Sequence, residues 1–141
     1  MVYKDWGSLE RAVVDKVRVA TEEAQIASLH RLSEYLDRFY DSPEPIMYDR
    51  TGQLGSSASA FPFQPTDNGG IGMIEINDDV NYAKPGLYDT MMVIENAETG
   101  YVPPTAPWAT MKGNPYFWWD TMMDIENEII PNTFGKYFKQ I

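Results

Sequence analysis

Apolar residues recur at steps of three and four from Leu9 to Tyr40, and no Pro or Gly interrupts them. One series runs Val13, Val17, Ala20, Ala24, Ala27. A second runs Ile26, Leu29, Leu32, Leu36, Phe39 and Tyr40. Both steps belong to a helix rather than a strand. Ser8 is a cap candidate, Glu10 sits near the positive end of the helix dipole, and Asp41-Ser42-Pro43-Glu44-Pro45 ends the run. The pattern predicts one helix over 8–40, roughly 50 Å long at ~1.5 Å per residue. A domain of this length has a radius of gyration near ~14–15 Å. The helix must therefore overhang, bend or rest on another subunit. The alternative is two shorter helices with a break near Thr21. The small residues of the first series suit close packing, which makes Val13, Val17, Ala20 and Ala24 candidate interface positions.

The periodicity changes at Tyr48-Asp49-Arg50-Thr51-Gly52-Gln53-Leu54. Asp and Thr bond nearby backbone and Gly tolerates positive φ, so this is corner chemistry between helix and strand. A strand is expected around Leu54–Phe61, after which Pro62 and Pro65 confine the chain to an edge or a loop. Asp67-Asn68-Gly69-Gly70 is a strong turn signal, and Ile71–Ile76 reads as the best strand. Met91–Glu95 is a further strand candidate, followed by a turn at Ala97–Gly100. Residues 101–110 hold three prolines and Trp108 with little periodicity. Long irregular segments are usually functional, so Tyr101 and Trp108 are candidate interface anchors. Asn114-Pro115 opens a second helix, Asn as cap and Pro at the first position. Its stripe is Trp118, Met122, Ile125 and Ile129, widened by Trp119, Met123 and Ile130. Pro131 should kink or interrupt it, and Phe134, Tyr137, Phe138 and Ile141 resume the stripe.

The expected fold class is α+β in a single domain over 1–141. It comprises a long N-terminal helix (8–40), a small antiparallel β-sheet with long loops (48–100), a loop (101–113) and a C-terminal helix packed on the sheet (114–140).

Charge narrows the function classes. The chain of 141 residues carries a formal net charge of −10. Residues 1–40 hold six Lys/Arg against seven Asp/Glu, and residues 41–141 hold five against fourteen. Such a balance argues against a basic nucleic-acid footprint. It leaves open a small acidic inhibitor that mimics DNA for a host nucleic-acid enzyme. There is no Cys and one His; His30 sits in the helical pattern and reads as a surface residue. Asp67, Asn68, Asn77, Asp78 and Asp79 do not match the spacing of a calcium loop. No phosphate loop or nucleophile elbow is present. The reading is therefore a non-enzyme with no cofactor and no metal. No apolar run reaches the ~20 residues of a membrane helix, and the N-terminus lacks a signal core.

The order of elements, with Arg50, Thr51, Gly52 and Leu54 after the first helix and Asn114-Pro115-Tyr116-Phe117 before the last, resembles the neck or tail-completion family of long-tailed bacteriophages. The likeness spans about residues 8–140. It departs from the family at Gln53 and Gly55-Ser56-Ser57, where members are more basic, and in the Pro-rich loop at 101–107. The resemblance implies a structural virion protein: a homo-oligomeric ring of six copies at the head–tail junction, meeting neck, connector and tail-tube proteins. It implies localisation to the virion after assembly in the host cytoplasm, no membrane partner, and a lumen that DNA crosses without specific binding. Arg50, Thr51, Gly52 and Leu54 would then belong to its contact region.

Gly52→Val is expected to reduce soluble yield or assembly, because a β-branched residue resists positive φ. Unchanged yield and assembly on size exclusion would show that the corner needs no special backbone conformation.

Overall fold

The computed structural model describes residues 3–39, 58–76, 95, 98–99 and 116–138. Helix α1 is continuous over Trp6–Phe39, 34 residues or about 51 Å at 1.5 Å per residue. It starts earlier than the sequence suggests because the cap is Asp5, not Ser8. The Asp5 carboxylate accepts the Ser8 backbone N–H at 2.7 Å, and Leu9 N–H bonds back to Asp5 O at 3.2 Å. The Ser8 amide holds the Asp5 carboxyl below its usual range. No break occurs at Thr21, whose hydroxyl turns back onto Val17 O at 2.7 Å.

Four short strands follow: β1 (Ala58–Ala60), β2 (Gln64–Thr66), β3 (Gly69–Ile71) and β4 (Ile74–Ile76). β1 pairs antiparallel with β4, Ala58 opposite Ile76 and Ala60 opposite Ile74. β2 pairs antiparallel with β3, Gln64 opposite Ile71 and Thr66 opposite Gly69, so Asp67-Asn68 is the predicted turn. The two ribbons are one hairpin with a fault in it. Residues 61–63 on the first arm face only 72–73 on the second, and the register slips by one there. That is the geometry of a bulge, which kinks the ladder. It explains why the single strand expected over Ile71–Ile76 appears as two pieces. Phe61 N–H to Met73 O, 3.0 Å, carries the pairing across the fault.

Helix α1 holds the hairpin through side chains. Gln25, buried, donates from Nε2 to Phe61 O at 2.7 Å and to Met73 O at 3.0 Å. Arg18 donates to Gly69 O at 3.1 Å and to Thr66 O at 2.6 Å, bracketing the turn. Two glycines let the strand backbone lie this close. A Cβ on Gly69 would come within 2.8 Å of Val17 Cγ1, and one on Gly72 within 2.9 Å of Gln25 Cβ.

The C-terminal helix has three parts: α2 (Phe117–Asp124), a π-helical turn (Ile125–Ile129) and α3 (Ile130–Tyr137). Pro131 explains the middle part. A proline in a regular α-helix removes one donor and crowds the preceding turn. Here the turn widens just before it, and Ile130 N–H reaches five residues back to Ile125 O. The predicted interruption is therefore a π bulge, and the helix carries on.

This helix runs antiparallel to α1. Arg31 and Tyr35 of α1 meet Asp124, and Glu23 meets Lys136 and Tyr137. Its buried residues are Phe117, Thr121, Ile129 and Thr133, all on steps of four or multiples of it. The predicted stripe of Trp118 and Met122 is rotated by one position, because two threonines occupy the buried face. Thr121 bonds its own helix, hydroxyl to Phe117 O at 2.6 Å, so its burial leaves no polar atom unpaired. With Ala20, Ala24, Ser28, Leu32 and Leu36 of α1, these residues form a narrow core. Ile74 of β4 closes it: it lines a cavity of about 260 Å³ together with Ala24, Gln25, Ile125, Ile130 and Phe134. The fold class is the expected α+β, mostly helical with small antiparallel sheets of short strands, but the C-terminal helix packs chiefly along α1 rather than on the sheet as the sequence suggests, because its buried residues and polar clasps face that helix.

Gln25→Ala should cost about 1–3 kcal/mol in urea denaturation, because in a part-buried place Phe61 O loses the Gln25 donor and Met73 O keeps only its bond from the Phe61 N–H. An unchanged midpoint would mean that the hairpin holds without the helix.

Candidate functional site

The residues expected at an interface divide into four groups. Ala20 and Ala24 are buried by the chain itself, Ala20 completely. They are core positions, a correction to their expected docking role, and their small size serves the packing of the chain's own elements. Val17 is half-buried against the Gly69 backbone. Val13 is exposed. Arg50, Thr51, Gly52, Leu54, Tyr101 and Trp108 lie outside the described residues, as does the Pro-rich loop.

The structure adds Trp6, which the predicted helix start at Ser8 left out. Trp6, Val13 and Ala20 recur every seven residues, a step that returns within about 20° of the same side of a helix. Ala20 is fully buried while Val13 is 42 % exposed and Trp6 83 % exposed. The side of α1 that meets the core thus continues past the core to the helix start, exposed at Val13 and Trp6.

A second uncovered apolar surface opens the C-terminal helix. Tyr116, Trp119 and Met122 follow at steps of three, and all are exposed, Trp119 by 60 %. Residues three apart are neighbours on a helix surface. The apolar periodicity predicts burial for Trp119 and Met122, but the side of the helix that carries them is exposed.

How this helix begins is itself unusual. The cap is Tyr116, at φ 65° and ψ 26°, while Asn114 and Pro115 lie outside the described residues. That left-handed conformation is costly for an aromatic residue and persists only where surroundings fix it. The fixing partner is Glu98, twenty residues upstream of Trp118. Its carbonyl accepts Tyr116 N–H at 2.7 Å, and its carboxylate accepts Trp118 N–H at 2.8 Å and Trp119 N–H at 2.9 Å. Glu98 and Thr99 are helical here, not a plain turn, and Glu95 is helical rather than strand. Thr99 hydroxyl bonds Glu95 O at 3.0 Å. Burial pushes the Glu98 carboxyl above its usual range, against the pull of the two backbone amides. Beside it, Ile74, Ile76, Glu75, Phe117 and Trp118 line a largely apolar cavity of about 440 Å³. No local sequence signal marks Glu98, because its partners are remote.

Two polar clasps fix the register of α1 against the C-terminal helix. Arg31 Nη1 donates to Asp124 Oδ2 at 2.8 Å and to Glu128 Oε2 at 3.1 Å, and Tyr35 hydroxyl also donates to Asp124. Tyr35 and Arg31 hold the Asp124 carboxyl below its usual range. Glu23 accepts from Lys136 and from Tyr137 hydroxyl, and its carboxyl too is lowered. His30 is exposed on α1. Among the described residues, no cluster of His, Cys, Asp or Glu is placed to hold a metal ion, and no helix is long and apolar enough to cross a membrane.

Glu98→Ala should cost about 1–2 kcal/mol, as loss of a helix cap does. Glu98→Gln separates charge from capping. A raised folded-state value means that protonation favours the fold. The contribution of Glu98 is thus complete below the ordinary glutamate value and is lost as pH rises through the raised one. Melting curves across mildly acid to neutral pH should show the wild type gaining on Glu98→Gln as pH falls. Parallel curves would mean that burial does not govern this carboxyl. Comparisons with protein-family models, curated proteins and solved structures found no match for the chain.

Proposed function

We propose that this chain is a structural subunit of a tailed-phage virion, a ring component at the head–tail interface that joins capsid connector to tail as a neck, completion or terminator protein. The phage assignment rests on the order of elements and on the Arg50-Thr51-Gly52 and Asn114-Pro115-Tyr116-Phe117 segments. What supports an assembly role physically is the side of α1 that is core at Ala20 and bare at Val13 and Trp6. Large apolar side chains at the end of a rigid helix cost solubility unless something covers them. A subunit whose neighbours supply that cover has a use for a helix longer than its own core. The net charge of −10 suits a lumen through which DNA slides, because like charge repels phosphate.

The test is size exclusion with light scattering, with and without isolated tails or connectors. The chain is expected to self-associate or to join one of those particles. A lone monomer that ignores both, yet forms a salt-sensitive complex with a DNA-binding protein, would replace this reading with that of a DNA-mimic inhibitor.

A further inference from the structure

The turn between β2 and β3 carries a reactive bond. Asn68 is followed by Gly69, and no other asparagine of the chain precedes a glycine. Asparagine is a chemically labile residue. Its side-chain carbonyl carbon lies within reach of the next backbone nitrogen, and a side chain on that next residue hinders the approach. Gly69 has none. Asn68 is exposed, and among the described residues no hydrogen bond holds its carboxamide. Asn127 and Asn132 are exposed too, but they sit in the C-terminal helix, whose regular bonding keeps the next nitrogen in place.

The surroundings of the turn hold the reaction back. Gly69 is buried and paired opposite Thr66. Val17 fills the space beside Gly69, and the Phe63 ring fills the space beside Gly70. Arg18 binds the carbonyls on both sides of the turn, Thr66 O at 2.6 Å and Gly69 O at 3.1 Å. A nitrogen held this way does not swing onto the Asn68 side chain. The path opens when the hairpin tip lifts from α1, and local opening of this kind costs less than global unfolding.

We propose that Asn68 is a deamidation site restrained by Arg18, and that its isoaspartyl product cannot return to the docked position. The Gly69 nitrogen gives its proton to hydroxide and attacks Asn68 Cγ. The N–Cγ bond forms, the Cγ–Nδ2 bond breaks, and ammonia leaves with a proton from water. Water then opens the succinimide ring. Attack at Cγ restores the ordinary backbone and leaves aspartate. Attack at the main-chain carbonyl breaks the old peptide bond and leaves isoaspartate, with the chain running through Cβ and Cγ. Its backbone is longer by one carbon–carbon bond, about 1.5 Å. The two carbonyls that Arg18 binds are held in register by a two-residue turn. Hydrogen bonds of this type keep within about 2.7–3.2 Å, so the longer turn cannot satisfy both. Deamidation is then a slow, one-way release of the hairpin from the helix.

The full-length protein, held in mildly alkaline buffer, tests this. Sequencing by mass spectrometry, with fragmentation that distinguishes isoaspartate, should find aspartate and isoaspartate at 68, with Asn127 and Asn132 unchanged. Arg18→Ala, shown folded by circular dichroism, should react several-fold faster than wild type, and wild type in full denaturant faster still. Where Arg18→Ala loses helicity, wild type in urea below its unfolding midpoint replaces it, with the same several-fold rise expected. The purified isoaspartyl form should melt below Asn68→Asp, which carries the new charge without the longer backbone. An Asn68 that stays intact in the native protein overturns the site. A native rate equal to that of the denatured chain or of Arg18→Ala overturns the restraint. An isoaspartyl form that melts with Asn68→Asp overturns the release.

Discussion

The hairpin depends on donors that come from a helix. Its strands are three residues each, too short to stand as an isolated ribbon in water. Its ladder is faulted at the place where cooperativity would help most. A fault leaves carbonyls without ladder partners, and buried carbonyls need donors. Gln25 supplies one at Phe61 and adds a second to Met73, whose carbonyl also accepts the Phe61 N–H across the fault, while Arg18 binds the Thr66 and Gly69 carbonyls at the turn. The contact works only because Gly69 and Gly72 present backbone instead of side chain to α1. The sheet therefore folds as a dependent of the helix.

The helix–helix contact divides its work differently. Leu32, Leu36 and Phe117 are almost fully buried, each worth about 1.5–3 kcal/mol. The clasps at Arg31 and Glu23 are partly open to solvent, and pairs of that kind contribute about 0–1 kcal/mol. Apolar burial thus supplies the stability. The clasps supply register: a narrow core with small residues on both sides offers little steric resistance to sliding by a turn. Slid by a turn, Arg31 would lose Asp124 and Glu23 would lose Tyr137.

The long helix, the Asp67-Asn68 turn and the disturbance at Pro131 were all legible in the sequence, because each depends on neighbours in the chain. What was not legible came from remote partners. Nothing near Ser8 shows that Asp5 is the better cap, although both are capping types three residues apart. Asn114-Pro115 is a sound local start signal, yet Glu98 caps the helix two residues later from another part of the chain. Ala20 and Ala24 have the composition of a helix interface, and they are one, but within a single chain. Periodicity tells which side of a helix is apolar; it does not tell who covers it. Hydropathy ranks Thr121 and Thr133 as polar and so hides their burial, whereas Thr121, its hydroxyl bonded to Phe117 O of its own helix, behaves as a small apolar residue. Glu98 and Gln25, the two side chains that organise the termini of the other elements, carry no motif at all.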